Sequence, residues 1–113
     1  MSDPDTARDF ALSLPGTEER ISWGMPTFRL RKGMFAALPD SERPHLAFRF
    51  PMEERPAMLL AEPDKFFIRE GHDPKYNWLR VHLDAIDDEE LRAILVDSWR
   101  QVAPKKLQAE YDK

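Results

Sequence analysis

The sequence contains no cysteine among its 113 residues. This absence excludes disulfide bonds, thiolate metal sites and cysteine nucleophiles, and it is compatible with a reducing cytosol. Glycine is scarce as well, with four residues at positions 16, 24, 33 and 71. Because these glycines are isolated, the chain has no glycine-rich loop of the kind that binds phosphate groups through backbone N–H groups.

Long apolar runs are also missing, and none approaches the ~20 residues needed to cross a bilayer. The first ten residues are acidic and lack an apolar segment, so we expect no signal peptide. Hydrophobic residues make up 42% of the chain and aromatic residues 11%, which is typical of a globular protein. We therefore predict a soluble, cytoplasmic protein with one domain over residues 1–113 and no membrane partner.

The charge of the chain is segregated along the sequence. The net charge of −4 argues against strong binding to nucleic acid, but the distribution of charges matters more than their sum. Residues 1–19 carry five acids and one cation, Arg8. The segment from 20 to 39 carries no acid and four cations, namely Arg20, Arg29, Arg31 and Lys32.

Hydrophobic periodicity predicts helices at both ends of the chain. One begins after Asp3 and ends before Pro15, and the other begins after Asp87 and runs to Pro104, with Trp99 at the margin of its buried stripe. A short helix is predicted over 56–62, and a polar tail follows Pro104. The alternating segments between them predict strands over 21–23, 27–31, 34–38, 45–50, 65–69 and 76–83, with Gly24-Met25-Pro26 interrupting the first two. This order predicts an α+β fold with two layers, in which helices cover one face of an antiparallel sheet.

Strand alternation also predicts a basic face opposite the helices. Phe28 and Leu30 should face the core, and the side chains expected on the other face are Arg29, Arg31, Arg49, Arg80, His82 and Trp78, with Arg69 joining them if its strand has the matching register. Arginine forks bind phosphate and an exposed tryptophan stacks on bases. Together with Lys32, this set is a candidate nucleic-acid-binding surface. The alternatives are a solvated face whose arginines pair with acids, or a homodimer interface that buries Trp78.

The segment from Trp23 to Phe28 is a second candidate site. Trp23, Met25 and Phe28 could line the rim of a small apolar pocket, because Gly24-Met25-Pro26 interrupts the strand and bends it. The alternative is ordinary packing of core residues around a strand bend.

Evidence for catalysis is weak. No histidine pair has metal-ligand spacing among His45, His72 and His82, so we expect no metal and no cofactor. The pair His72-Asp73 and the pair His82 and Asp84 fit ordinary loop and surface positions. Ser98 lies on the buried stripe of the last helix, with no base beside it. We therefore predict a protein that is not an enzyme.

Several short motifs, in order, resemble one known family. They are Leu14-Pro15-Gly16 with Glu18-Glu19, Trp23-Gly24-Met25-Pro26-Thr27-Phe28, Gly33-Met34-Phe35-Ala36, Tyr76 with Trp78, Ser98-Trp99, and Pro104-Lys105-Lys106. The set resembles the MmcQ/YjbR-like proteins over nearly the whole chain. One departure is Gly33, which stands where a lysine is common, with Lys32 one position earlier.

The resemblance implies a two-layer fold with an antiparallel sheet, similar to type III secretion chaperones, and a bacterial-type family usually labelled DNA-binding. Our hypothesis is a non-enzymatic binding module, monomeric or homodimeric, that contacts double-stranded DNA weakly and salt-sensitively through the basic face. The alternative is a module that binds another protein or a small ligand. A concave apolar surface near Trp23 or Trp78 would favour that alternative, and His72 or His82 aligned with an acid in a deep pocket would favour an enzyme.

Overall fold

A computed structural model describes all 113 residues, Met1–Lys113. Four helices and six strands follow in chain order as α1 Pro4–Ser13, β1 Glu18–Ser22, β2 Met25–Leu30, β3 Gly33–Ala37, β4 His45–Arg49, α2 Arg55–Ala61, β5 Phe66–Phe67, β6 Trp78–His82, α3 Asp88–Arg100 and α4 Lys105–Tyr111. The strands form one sheet in the order β1-β2-β3-β4-β6-β5, and every neighbouring pair is antiparallel. The α+β prediction is confirmed.

Local sequence signals define the starts of the two long helices. The Asp3 carboxylate accepts the backbone N–H of Thr6 at 2.8 Å at the start of α1. The Asp87 carboxylate accepts the backbone N–H of Glu90 at 2.8 Å at the start of α3. A cap of this kind stabilises a helix by ~1 kcal/mol.

The helices and one face of the sheet enclose a cluster of 20 buried apolar residues. Sheet residues such as Phe28, Phe48 and Leu79 meet Leu95 and Trp99 of α3 in this core. Trp99 was expected at the margin of its helix stripe, and it is instead fully buried. Its indole N–H donates to the carbonyl oxygen of Pro15 at 3.0 Å, which satisfies the one polar atom of the side chain.

Two predicted strands are shorter than expected. The segment 65–69 contributes only Phe66–Phe67, and the segment 76–83 contributes Trp78–His82. Between them residues 69–77, which we call the 69–77 loop, include a single 3₁₀ turn at Asp73–Lys75. The polar tail predicted after Pro104 also differs, since it contains α4, whose Leu107 packs against the core.

The face of the sheet that points away from the helices, which we call the outer face, has small residues at its centre. Thr27 pairs with Ala37, Ala37 with Ala47, and Ala47 with Arg80, so these four residues form one row across four strands. Side chains directly opposite each other in antiparallel strands lie on the same face. A row with two alanines and a threonine leaves a depression between the larger side chains on either side.

None of the helices is both long and apolar enough to cross a membrane.

Candidate functional site

The depression on the outer face forms a cavity of about 540 Å³, which we call the groove. Its sides come from the β1–β2 turn and from the 69–77 loop, and its base comes from the sheet strands between them. The side chains that line it are Trp23, Met25, Met34, Ala37, Arg69, His72, Tyr76, Trp78 and Arg80. The groove is therefore mainly aromatic and aliphatic, with cations along the side formed by the loop.

A buried ion pair holds the loop against the sheet. Arg80 Nε donates to Asp73 Oδ2 at 2.7 Å and Arg80 Nη2 donates to Asp73 Oδ1 at 3.2 Å. Asp73 is fully buried and Arg80 is only 7% exposed. The backbone N–H of Arg69 donates to Asp73 Oδ2 at 2.6 Å. Both partners are thus desolvated, and each is compensated by the charge of the other.

The electrostatics of this pair follow from its contacts. Burial alone would raise the pKa of Asp73, but the hydrogen bonds from Arg80, from the Arg69 backbone and from His72 outweigh it and lower that pKa to about 2. Asp73 is therefore a carboxylate at neutral pH. His72 Nδ1 lies 2.8 Å from Asp73 Oδ1, and because a carboxylate only accepts, Nδ1 must carry the proton.

A second histidine completes the network on the sheet side. His45 Nε2 lies 3.1 Å from Arg80 Nη1, and since a guanidinium only donates, Nε2 accepts. Burial and the charge of Arg80 lower the pKa of His45, which keeps its imidazole neutral. Arg80 therefore donates hydrogen bonds to both Asp73 and His45.

Arg55, at the start of α2, anchors the loop from the other side. Its Nη1 donates to the carbonyl oxygens of Asp73 at 2.7 Å, Tyr76 at 2.9 Å and Trp78 at 2.9 Å. Arg55 is itself buried. These bonds fix the backbone of the loop, and they give the groove a preformed wall.

The β1–β2 turn forms the opposite wall and contains an unusual residue. Trp23 has φ = 52° and Gly24 has φ = 77°, and Ser22 pairs with Met25 on either side of them. Positive φ at both central residues is the type I′ hairpin turn, which favours Asn-Gly. A tryptophan in this conformation costs about 1–2 kcal/mol, yet its side chain is 86% exposed. Little burial offsets this strain, and strain of this kind clusters at functional sites.

The His72-Asp73 pair does not by itself make a catalytic site. It meets the geometric condition for an oriented imidazole beside an acid in a pocket, which we stated above as favouring an enzyme. However, both Asp73 oxygens also bind Arg80, so the carboxylate is already neutralised and would stabilise an imidazolium only weakly. No serine, threonine or cysteine lines the groove, so no hydroxyl or thiol nucleophile of those types accompanies the imidazole.

The residues predicted to form one basic face lie in different surroundings in the structure. Arg80 points to the outer face as predicted, but its burial and its pairing with Asp73 correct the expectation that it is displayed. Arg49 donates from Nε and Nη2 to the carbonyl oxygen of Met34, at 3.2 and 3.1 Å. Trp78 is half-buried and lines the groove.

The remaining cations line a different cavity. Arg29, Arg31 and Lys32 join Arg20 around a cavity of about 550 Å³, which we call the basic cleft. Arg29, Arg31 and Lys32 make no salt bridge, and the one acid of the cleft, Glu18, lies 3.7 Å from Arg20 in an exposed pair. The basic cleft therefore carries a net positive charge.

The three residues predicted for the apolar rim do not lie together in the structure. Trp23 and Met25 line the groove. Phe28 is fully buried in the core, so assigning it to the rim is wrong. Alternation within β2 explains this, because Phe28 lies three residues after Met25 and faces the helices.

Sequence reasoning did not assign Met34, His72, Tyr76 or the supporting Asp73 to this site, whereas Arg69 was expected on the outer face only if its strand had the matching register. His72, Asp73 and Tyr76 lie in the 69–77 loop, where no periodicity indicates the direction of a side chain. One signal could have helped, since Arg80 occupies the middle of an alternating strand beside buried neighbours. A buried arginine requires an acid, and Asp73 is near in sequence.

The chain is similar to known proteins in both sequence and fold. The family model YjbR matches residues 12–101. No protein among the curated sequences matches the chain. The fold is similar to the crystal structure of the Deinococcus radiodurans protein DR2400, which carries the domain DUF419, with a TM-score of 0.77 and 21% sequence identity. That similarity covers 97% of this chain and 88% of the other, and it concerns the fold alone.

Proposed function

The chain belongs to the YjbR family, and from that premise we propose that it is a non-enzymatic binding module whose binding surface is the groove. The occupant would be a small ligand or a side chain of another protein that presents an aromatic or aliphatic group. A module that binds another protein or a small ligand was the alternative to DNA binding. The feature expected to favour that alternative was a concave apolar surface near Trp23 or Trp78.

The main observation that supports the proposal is the preformed concave shape of the groove. Its volume of about 540 Å³ lies within the ~300–1,000 Å³ of ordinary ligand sites. Trp23 and Tyr76 are exposed there, at 86% and 51%, and exposed aromatic side chains in a concave site favour recognition of a partner. The loop wall is held by Arg55 and by the Asp73–Arg80 pair, so binding requires little reordering of the protein.

The three tryptophans supply a direct test. In a ¹H–¹⁵N spectrum the indole N–H signals of Trp23 and Trp78 report on the groove, and that of Trp99 is an internal control because it is bonded to Pro15 in the core. Titration with a panel of aromatic and aliphatic fragments at millimolar concentration should shift the two groove signals and leave the third unchanged. If no fragment moves either groove signal, the groove is not a binding surface.

A second candidate function is binding of double-stranded DNA through the basic cleft. It is favoured by the four cations around that cleft and by the absence of salt bridges to three of them. Because Arg80 is neutralised by Asp73, fewer cations are available than strand alternation predicted. Four phosphate contacts give a slope of log K against log salt of roughly −3.6, which corresponds to weak binding at physiological salt.

Fluorescence anisotropy with a short duplex across a salt series tests this candidate. The double variant Arg29→Glu/Arg31→Glu should abolish binding. The matched control Lys105→Glu/Lys106→Glu changes the same charge outside the basic cleft and should reduce it much less. Absence of binding at low salt, or equal losses in the two variants, would exclude a specific role for the cleft.

A further inference from the structure

The groove has a cationic side that no carboxylate of the protein neutralises. Arg69 lines it, is exposed and makes no salt bridge. The acid nearest in sequence that faces the site, Asp73, is buried and bonded to Arg80 and to the Arg69 backbone. No Asp or Glu is among the residues that line the groove. An occupant with a negative charge would complement this side.

Rings and thioethers surround the rest of the site. Trp23 belongs to the β1–β2 turn and Trp78 to β6, and β2 is separated from β6 by β3 and β4. Three strand spacings correspond to about 14 Å, which is wide enough for a ring system of one or two rings beside a polar group. Met25 and Met34 contribute sulfur atoms, which make favourable contacts with aromatic rings.

We infer that the groove binds a small planar aromatic molecule that carries an anionic group, such as an aromatic carboxylate, sulfonate or phosphate ester. Its ring would contact the tryptophans and methionines, and its anionic group would meet the guanidinium of Arg69. This inference rests on the proposed function of the groove and specifies its ligand class. The free molecule is the proposed occupant, since the cavity volume of about 540 Å³ is that of a single small ligand.

A pair of matched probes tests the charge requirement. 2-Naphthoate and 2-naphthylmethanol present the same ring, and only the first carries an anion. Each is titrated into the intact chain while the indole signals of Trp23, Trp78 and Trp99 are followed. Arg69→Gln removes the proposed anion partner at an exposed position, and Arg92→Gln makes the same change at an exposed position of α3 as a control.

The acid should bind the unmodified chain about tenfold or more tightly than the alcohol, because only the acid gains a charge-assisted hydrogen bond from Arg69. Arg69→Gln should reduce that preference to less than about threefold, and Arg92→Gln should retain it. Equal affinity for both probes, or a preference unchanged by Arg69→Gln, would overturn the inference while leaving the groove a binding site. Failure of both probes to move either groove indole would overturn the inference, and failure of the whole fragment panel would overturn the proposed function as well.

Discussion

Replacing Trp23 by asparagine should stabilise the protein and weaken its groove at the same time. The substitution converts the turn from Trp-Gly to Asn-Gly, the favoured pair for a type I′ hairpin. Trp23 has φ = 52°, a conformation that costs most residues about 1–2 kcal/mol and asparagine less. Its side chain is 86% exposed, so little buried surface is lost. The net gain expected is about 0.5–1 kcal/mol.

Thermal and urea unfolding measure this gain. In a domain of this size it corresponds to an increase in Tm of about 2–4 °C. Trp23→Tyr is the matched control, because it keeps both the ring and the strained φ and should leave stability nearly unchanged. Trp23→Gly relieves the strain but makes the unfolded chain more flexible, so its effect should be close to zero.

The predicted weakening of ligand binding is measured with the titration of 2-naphthoate. Loss of one aromatic contact is worth about 0.5–1.5 kcal/mol, so Trp23→Asn should weaken binding by about threefold or more, and Trp23→Tyr should retain most of it. Destabilisation by more than about 0.5 kcal/mol in Trp23→Asn would refute the reasoning, since the indole would then be packed in the folded state rather than held strained in solvent. Unchanged binding would show that the strain serves no recognition.

Three further predictions concern the scaffold of the groove. Arg55→Met should destabilise the chain by about 3 kcal/mol or more, because three backbone carbonyls lose a charged donor. Urea unfolding measures the loss of stability, and amide exchange in the 69–77 loop should become faster. Unchanged exchange in that loop would contradict this prediction. The carboxyl ¹³C signal of Asp73 should titrate near pH 2. The stabilisation from its bonds to Arg80, the Arg69 backbone and His72 together, about 2 kcal/mol, is therefore nearly complete above pH 4 and is lost as the pH falls through 2. A midpoint at or above 3.8 would contradict this prediction. Ser98→Ala should cost about 1 kcal/mol, since the hydroxyl donates to the carbonyl oxygen of Arg49 at 2.9 Å, and chemical denaturation would detect the loss.

Local signals in the sequence were sufficient for most of the fold. Asp3 and Asp87 cap helices where predicted, because a cap depends on residues within one turn. Alternation placed Phe28 towards the helices and Arg80 on the outer face, because successive side chains of a strand point to opposite faces. The strand 65–69 was predicted too long, since alternation over five residues does not reveal whether a neighbouring strand is available to pair with them.

The sequence by itself determined the family, the α+β architecture and the face of the sheet on which the cations of the strands lie. The tertiary structure alone decided which of those cations remain available. Strand alternation specifies the direction of a side chain but not what covers it, and the 69–77 loop, held by Arg55, brings Asp73 onto Arg80. The same loop and the strained turn at Trp23 enclose a groove built from residues that are distant in sequence. Such a groove depends on contacts between helices, strands and loops that are distant in sequence, so only the tertiary structure reveals it.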